Sequence, residues 1–310
     1  MIVSASYKTD IPAFYGEWFA GRLAAGYCRT VNPYGRQVSR IELTPGAVDA
    51  FVFWTRNLGP FGPALEKVRD LAIPFCVQYT ITGYPRALDA ATVAPGQAAS
   101  HLRDLARDFG PRAGVWRYDP ILLTSLTPPA WHRETFARLA RSLEGAVDEV
   151  VVSIAQQYRK TRRNLAVAAR AHGFTWRDPS PDEREALLGD QAQTAAAHGM
   201  RLTLCGQPEM LIPGVGEASC IDTRRLSDIA GHAIAAKRKP HRKTCACDAS
   251  RDIGEYDTCP HGCVYCYAVQ NRTLAKRRFK EHDPAGEFLV APPDVSITKQ
   301  SSGGDQGSLF

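Results

Sequence analysis

Short runs of apolar residues alternate with longer amphipathic stretches through the first two-thirds of the chain. Met1–Ala5, Ala50–Trp54, Phe75–Ile81, Gly114–Tyr118, Glu149–Ile154 and Arg201–Cys205 are rich in Val, Ile, Phe and Tyr. Such near-continuous apolar runs are expected of strands covered on both faces. Between them, Ile11–Ala25, Gly62–Asp70, Gly96–Phe109, Pro129–Leu143 and Pro181–His198 carry helical periodicity. Repeated strand–helix alternation predicts parallel βαβ units, in a barrel or an open sheet. No internal sequence repeat is evident.

After Gly206 the alternation breaks. Residues 206–258 hold prolines, glycines, serines and basic runs, and predict a loop-rich region. A cysteine-bearing loop and a following helix, beginning near Tyr267, complete the core at 259–295. Residues 296–310 read as a flexible Ser/Gly tail. The main α/β portion thus spans 1–205.

Several predicted strands end in polar residues, where parallel α/β folds place their ligands. Ser4, Lys8 and Asp10 follow the first strand, and Thr55, Arg56 and Asn57 the second. Gln78 lies at the end of the third, Arg117 and Asp119 at the end of the fourth, and Ser153 at the end of the fifth. Any one of these could simply cap a helix or satisfy a turn; five on one face point to a shared cavity.

Composition changes this picture in one respect. The 310 residues are 44% hydrophobic and 23% charged, ordinary for a globular protein, and collagen-like or wholly disordered chains are excluded. No apolar run approaches the roughly 20 residues of a membrane span, and the first residues lack a signal-peptide layout, so a cytoplasmic protein is expected. A formal charge of +6 is too mild to identify a nucleic-acid binder. Basic runs do cluster, however, at 159–163, 237–243 and 276–280. The informative feature is cysteine: five of nine fall between Cys245 and Cys266. In a reducing compartment such clustering indicates metal or redox chemistry rather than disulfides.

Cys259-Pro260-His261-Gly262-Cys263-Val264-Tyr265-Cys266 has CxxxCxxC spacing. Three thiolates this close can wrap one face of a metal centre, and Gly262 permits the turn between them. Two occupants suit such a loop. One is a 4Fe–4S cluster with one iron left open; the other is a zinc ion completed by His261. Cys205, Cys220, Cys245 and Cys247 total four, the number a second Fe–S cluster or a structural zinc needs, although Cys205 also suits a small buried hydrophobe. Cys28 and Cys76 lie in helix-like and strand-like contexts and read as core.

The cysteine loop, with Tyr265 before its last cysteine, resembles the signature of the radical S-adenosylmethionine superfamily. That resemblance implies that Cys259, Cys263 and Cys266 hold a 4Fe–4S cluster whose open iron chelates S-adenosylmethionine. One-electron cleavage then yields a 5′-deoxyadenosyl radical, the electron coming from a donor such as flavodoxin or ferredoxin. Tyr265 would pack near the adenine, and Ser4, Thr55, Arg56, Asn57, Gln78, Arg117, Asp119 and Ser153 would line the cofactor and substrate cavity.

Val52–Asn57 and Arg117–Ile121 are similar to segments of the spore photoproduct lyase group, with Arg56 where those proteins carry lysine. By this likeness the fold is a circularly permuted, partial or full parallel β/α barrel whose first strand–loop–helix unit comes last. Either Cys28 or Cys76 would then be a candidate hydrogen-atom donor. Ser4–Tyr15, Val52–Asn57, Trp116–Pro120 and Asp252–Tyr267 also resemble segments of the domain of unknown function 1848 family, a likeness that runs nearly end to end.

The final Gln306-Gly307-Ser308-Leu309-Phe310 is similar to the pentapeptide that docks on the bacterial sliding clamp, with Gly307 where leucine is usual. Gln306, Leu309 and Phe310 would be its anchors. Together these likenesses imply a DNA-acting radical enzyme, a lesion-repair lyase or a base modifier. RNA, a peptide or a small molecule are alternative substrates, and a non-enzymatic Fe–S or zinc nucleic-acid-binding protein is the alternative class.

Overall fold

The structure, a computed structural model, describes residues 1–33, 35–239 and 244–292. It is an α/β fold built on one eight-stranded, all-parallel sheet. In chain order the elements are β1 (Ile2–Ala5), α1 (Ile11–Phe14), α2 (Gly16–Ala25), β2 (Tyr27–Val31), β3 (Val38–Glu42), β4 (Ala50–Thr55), α3 (Gly62–Asp70) and β5 (Phe75–Thr80). There follow α4 (Pro95–Phe109), β6 (Gly114–Ile121), β7 (Leu123–Thr124), α5 (Pro129–Leu143), β8 (Glu149–Ile154), α6 (Arg159–His172) and β9 (Trp176–Arg177). The last are α7 (Pro181–Ala197), β10 (Arg201–Leu204), β11 (Gly216–Glu217), α8 (Thr223–Ala230), β12 (Arg251–Asp252) and α9 (Arg272–Lys280).

The sheet runs β11-β10-β8-β6-β5-β4-β1-β12. Strands that follow one another along the chain lie side by side, as in a singly wound barrel. The exception is β12, which arrives last yet pairs with β1 through Val3 and Arg251. Among the described residues the sheet does not close: β11 and β12 are its edges.

Alternate residues of each strand divide between two layers, as the pleat requires. Val3, Phe51, Phe53, Val77, Trp116, Val150 and Leu202 face the helices and form the larger core. Ile2, Ala50, Val52, Cys76, Val115 and Val151 face the other way and pack with Leu226 of α8. Buried Arg225 of α8 ion-pairs with Asp148 and Glu149 at the start of β8, each at 2.8 Å. The amino-terminal end of the inner face is thereby covered, leaving the carboxyl-terminal end for a cavity.

The six predicted strands all form. The predicted helix over 11–25 is broken at Tyr15, whose hydroxyl donates to the Thr258 carbonyl at 2.7 Å, tying α1 to the cysteine loop. The basic run at 159–163 is the first turn of α6, and that at 276–280 the last turn of α9, where cations complement the helix dipole. The run at 237–243 is described only through Lys239. No helix among the described residues is long and apolar enough to cross a membrane.

His132 of α5 is fully buried, with Nδ1 2.8 Å from the Tyr118 hydroxyl and Nε2 3.2 Å from the Leu122 carbonyl. Burial lowers its pKa to about 4, against the smaller opposing effect of the Leu122 carbonyl. The unfolded chain takes up a proton near pH 6.5 that the folded chain refuses until about pH 4. Stability is therefore full above about pH 6.5 and falls by about 3 kcal/mol as the pH drops to about 4. Urea unfolding at pH 7 and pH 4.5 is expected to show a smaller loss for His132→Gln than for the wild type. Equal losses would refute this role.

Candidate functional site

The carboxyl-terminal ends of the strands surround a cavity of about 340 Å³. Its wall includes Lys8 and Asp10 after β1, Thr55 and Arg56 at the end of β4, and Arg117 and Asp119 of β6. Ser153 of β8 and the loop cysteines Cys259, Cys263 and Cys266 complete this part of the wall.

The cysteine loop follows β12, and two sets of contacts hold it in place. The first lies beneath it. Asp252 of β12, 2% exposed, accepts from Ser4 Oγ at 3.0 Å, Ser6 Oγ at 2.7 Å, the Tyr7 amide at 3.0 Å and the Gly254 amide at 2.9 Å. Lys8 Nζ lies 3.7 Å from the same carboxylate. Residue 254 has to be glycine here, because a Cβ would fall 2.0 Å from Ser6 Oγ.

The second set comes from the segment after β5. The backbone of Asp89 bridges to Cys263, the Val264 amide donates to the Leu88 carbonyl at 3.0 Å, and the Ala91 amide to the His261 carbonyl at 3.0 Å. Gly262 makes the intervening turn with φ of 76°, a left-handed conformation that favours glycine.

Arg56 joins the two sides of the loop. Its guanidinium forms a bidentate pair with Asp89, at 2.5 and 3.2 Å, and donates to Thr82 Oγ1 at 2.8 Å and to Cys263 Sγ at 3.4 Å. The Tyr265 hydroxyl meets both Arg56 and Asp89, the latter at 2.6 Å. Bidentate geometry of this kind is available to arginine and not to lysine. Arg56 and Tyr265, expected as cofactor contacts, brace the cysteine loop from inside in this structure.

The three loop thiols are half-buried. Loss of solvent raises the pKa of each; Asp10 raises Cys259 further, while Arg56 works against the shift at Cys263. This environment favours their protonated forms. His261 does not turn toward them. It is 2% exposed, with Nε2 2.8 Å from Asp10 Oδ2 and Nδ1 3.2 Å from the Ala91 carbonyl, so both ring nitrogens are engaged. The geometry therefore does not support a Cys3His zinc site in the loop. Among the described residues, no three His, Cys, Asp or Glu side chains already converge on one ion.

The remaining predicted residues separate by position. Arg117 donates to Gln78 Oε1 at 3.2 Å and to Cys220 Sγ at 2.9 Å, and it pairs with Asp119, which also accepts from Ser153. Gln78 is buried behind the cavity wall, its amide donating to the Cys220 carbonyl at 3.1 Å. Ser4 lies in the same layer, bonded to Asp252 and accepting from Trp54 Nε1 at 3.1 Å. Asn57 caps a turn, its Oδ1 taking the Gly59 amide at 3.1 Å. Ser4, Gln78 and Asn57 are not part of the cavity wall.

Neither Cys28 nor Cys76 lines the cavity. Cys28 is packed in the outer core and Cys76 in the inner one, and burial pushes both thiols up to about 12. The hydrogen-donor reading gains no support from their placement. Cys205, Cys220, Cys245 and Cys247 do come together on the cavity wall. Gln306, Leu309 and Phe310 lie outside the described residues.

Sequence reasoning missed Asp89, Thr82 and the role of Asp252. Asp252 precedes the cysteine motif by only seven positions, a usable signal; Asp89 sits in a loop that no periodicity marks. No curated protein is found to match this chain. The family comparison is positive, and its match ends just beyond the last loop cysteine: residues 2–268 fit the model described as Domain of unknown function (DUF1848), and the chain belongs to that family.

Proposed function

We propose that this protein is a radical S-adenosylmethionine enzyme acting on DNA, as a lesion-repair lyase or a base-modifying enzyme. The observation that carries the reading is that three half-buried thiols of a CxxxCxxC loop line a cavity at the carboxyl ends of a parallel sheet. The donor set suits a 4Fe–4S cluster: three thiols, with the neighbouring imidazole already occupied by Asp10 and a backbone carbonyl. When bound, such a cluster with its cofactor supplies one-electron reduction and hydrogen-atom abstraction. The position of β12 beside β1 agrees with a permuted barrel whose cluster-bearing unit comes last.

The chain's own residues have distinct tasks. Cys259, Cys263 and Cys266 would release their protons and bind iron. Arg56 and Asp89 would hold the loop, and Arg56 would offset thiolate charge at Cys263. Lys8, Arg117 and Asp119 offer charged partners for an amino-acid moiety, and Trp54 and Tyr267 give flat surfaces for a base. Buried Lys8 and exposed Lys160 lie 5.6 and 5.8 Å from the ring centre of Tyr256 in the cavity wall. Cations with aromatic rings suit phosphates and unstacked bases. The tail would tether the enzyme to the sliding clamp.

Anaerobic purification tests the chemistry. Iron and sulfide in the protein, an electron paramagnetic resonance spectrum altered by S-adenosylmethionine, and 5′-deoxyadenosine formed after reduction are expected. A colourless zinc protein would overturn the reading in favour of a binding protein. Deleting residues 301–310 is expected to abolish clamp binding and lower tolerance of DNA damage while leaving cofactor cleavage unchanged. Unchanged tolerance and clamp binding would favour RNA, peptide or small-molecule substrates.

A further inference from the structure

Four cysteines outside the CxxxCxxC loop, on the wall of the same cavity, meet at the open seam of the sheet. Cys205 follows β10, Cys220 follows β11, and Cys245 and Cys247 precede β12. Cys205 Sγ lies 3.6 Å from Cys220 Sγ, the Cys220 amide donates to Cys247 Sγ at 3.3 Å, and Cys247 in turn contacts Cys245. Arg117 brings a guanidinium to 2.9 Å from Cys220 Sγ, a complement for a thiolate.

The surroundings need a staple. β11 and β12 are two-residue edge strands with no ladder between them. The seam is spanned by loop contacts instead: Ser219 Oγ to the Ala246 carbonyl at 3.0 Å, the Asp248 amide to the Ile221 carbonyl at 3.0 Å, and Thr223 to Asp248. Cys220, Cys245 and Cys247 each adjoin a residue of such a contact, and Cys205 adjoins Gly206, whose carbonyl accepts from Thr244 Oγ1 at 2.7 Å. Four packed cysteines drawn from three loops are more than a small apolar patch requires, since alanine or valine would fill it without exposing reactive sulfur.

We propose that Cys205, Cys220, Cys245 and Cys247 form a four-thiolate metal site that closes the seam between β11 and β12. The site shares the cavity wall with the 259–266 loop but uses none of its thiols, and it does not depend on how that loop is read. As placed, the thiols make a contact chain rather than a shell around one point. Protonated thiols favour that chain, because each S–H can donate to the next sulfur. Metal binding removes those protons, so the sulfurs no longer attract one another and instead turn about the cation. The 3.6 Å separation of Cys205 and Cys220 is already near the edge of about 3.8 Å for thiolates arranged tetrahedrally around zinc. An iron–sulfur cluster shares the same ligand chemistry, and metal analysis separates the two.

The test uses the full chain carrying Cys259→Ala, Cys263→Ala and Cys266→Ala, which leaves these four thiols as the clustered set. Zinc, or iron with sulfide, is expected to remain bound at about one centre per chain. Adding Cys245→Ala and Cys247→Ala is expected to remove it. A folded, metal-free triple variant, from either zinc- or iron-supplemented growth, would overturn the proposal; so would metal that persists after the two further substitutions. Should the triple variant not fold, Cys245→Ala/Cys247→Ala in the otherwise native chain must lose one centre relative to wild type. Unchanged metal content there also overturns it.

Discussion

Alanine at Cys263 is expected to strip iron from the 259–266 loop and to abolish reductive cleavage of S-adenosylmethionine. The three loop thiols come from one eight-residue segment, so loss of any one leaves only two donors there. Removing a residue that merely supports a ligand typically weakens metal binding by about 10- to 100-fold, and removing the ligand itself should exceed that. The fold should survive. Arg56 loses its contact with Cys263 Sγ but retains Asp89 and Thr82, and the backbone pairing of the loop does not involve the sulfur. Circular dichroism should match wild type while loop iron falls to background, and Cys259→Ala and Cys266→Ala should behave alike. Cys28→Ala is the control, since Cys28 is buried away from the cavity and its loss should leave iron unchanged. Full activity in all three loop variants would remove the proposed chemistry.

The sheet was legible in the sequence wherever burial on both faces made a run continuously apolar, as in Phe51–Phe53 or Val150–Val152. The hairpin of β2 and β3 was not. Its residues alternate, with Cys28, Thr30 and Ile41 buried between half-exposed neighbours, and the Asn32-Pro33 turn was the available signal. Helix α6 was hidden by its charges: its buried stripe is only Thr161, Leu165, Ala168 and Ala169, too small to outweigh five flanking basic residues in a linear reading. β11 and β12 are two residues each, shorter than any periodicity can mark. They matter most, because β12 brings the cysteine loop beside β1.

The site was half legible for a related reason. Motif spacing marks cysteines that share one loop, and polar strand ends mark residues that share one face. Neither marks a contact made across the fold by a single side chain. Asp89 is joined to Arg56, 33 positions earlier, and to Tyr265, 176 positions later. The four seam cysteines were countable, but their meeting depends on how β11 and β12 end the sheet.

Asp89→Ala is expected to be the most destabilising substitution near the site. Asp89 is 1% exposed and neutralises Arg56, itself largely buried. Deleting one partner of a buried pair leaves the other charged and desolvated, a loss of about 3–5 kcal/mol. At this chain length that corresponds to a fall in Tm of roughly 5 °C or more. The same change removes the acceptor of the Tyr265 hydroxyl, so the loop that carries Cys263 and Cys266 loses its brace and iron binding should weaken by about 10- to 100-fold.

Asp89→Asn separates charge from shape. It keeps an oxygen for Arg56 or Tyr265 while removing the negative charge, and it should fall between wild type and alanine in both measurements. Arg56→Met combined with Asp89→Ala should be less damaging than the sum of the single changes, because the stranded charge is gone. Thermal unfolding and iron titration of the four variants measure this coupling. An Asp89→Ala protein within about 1 kcal/mol of wild type, with unaltered iron affinity, would show that the loop stands without the pair.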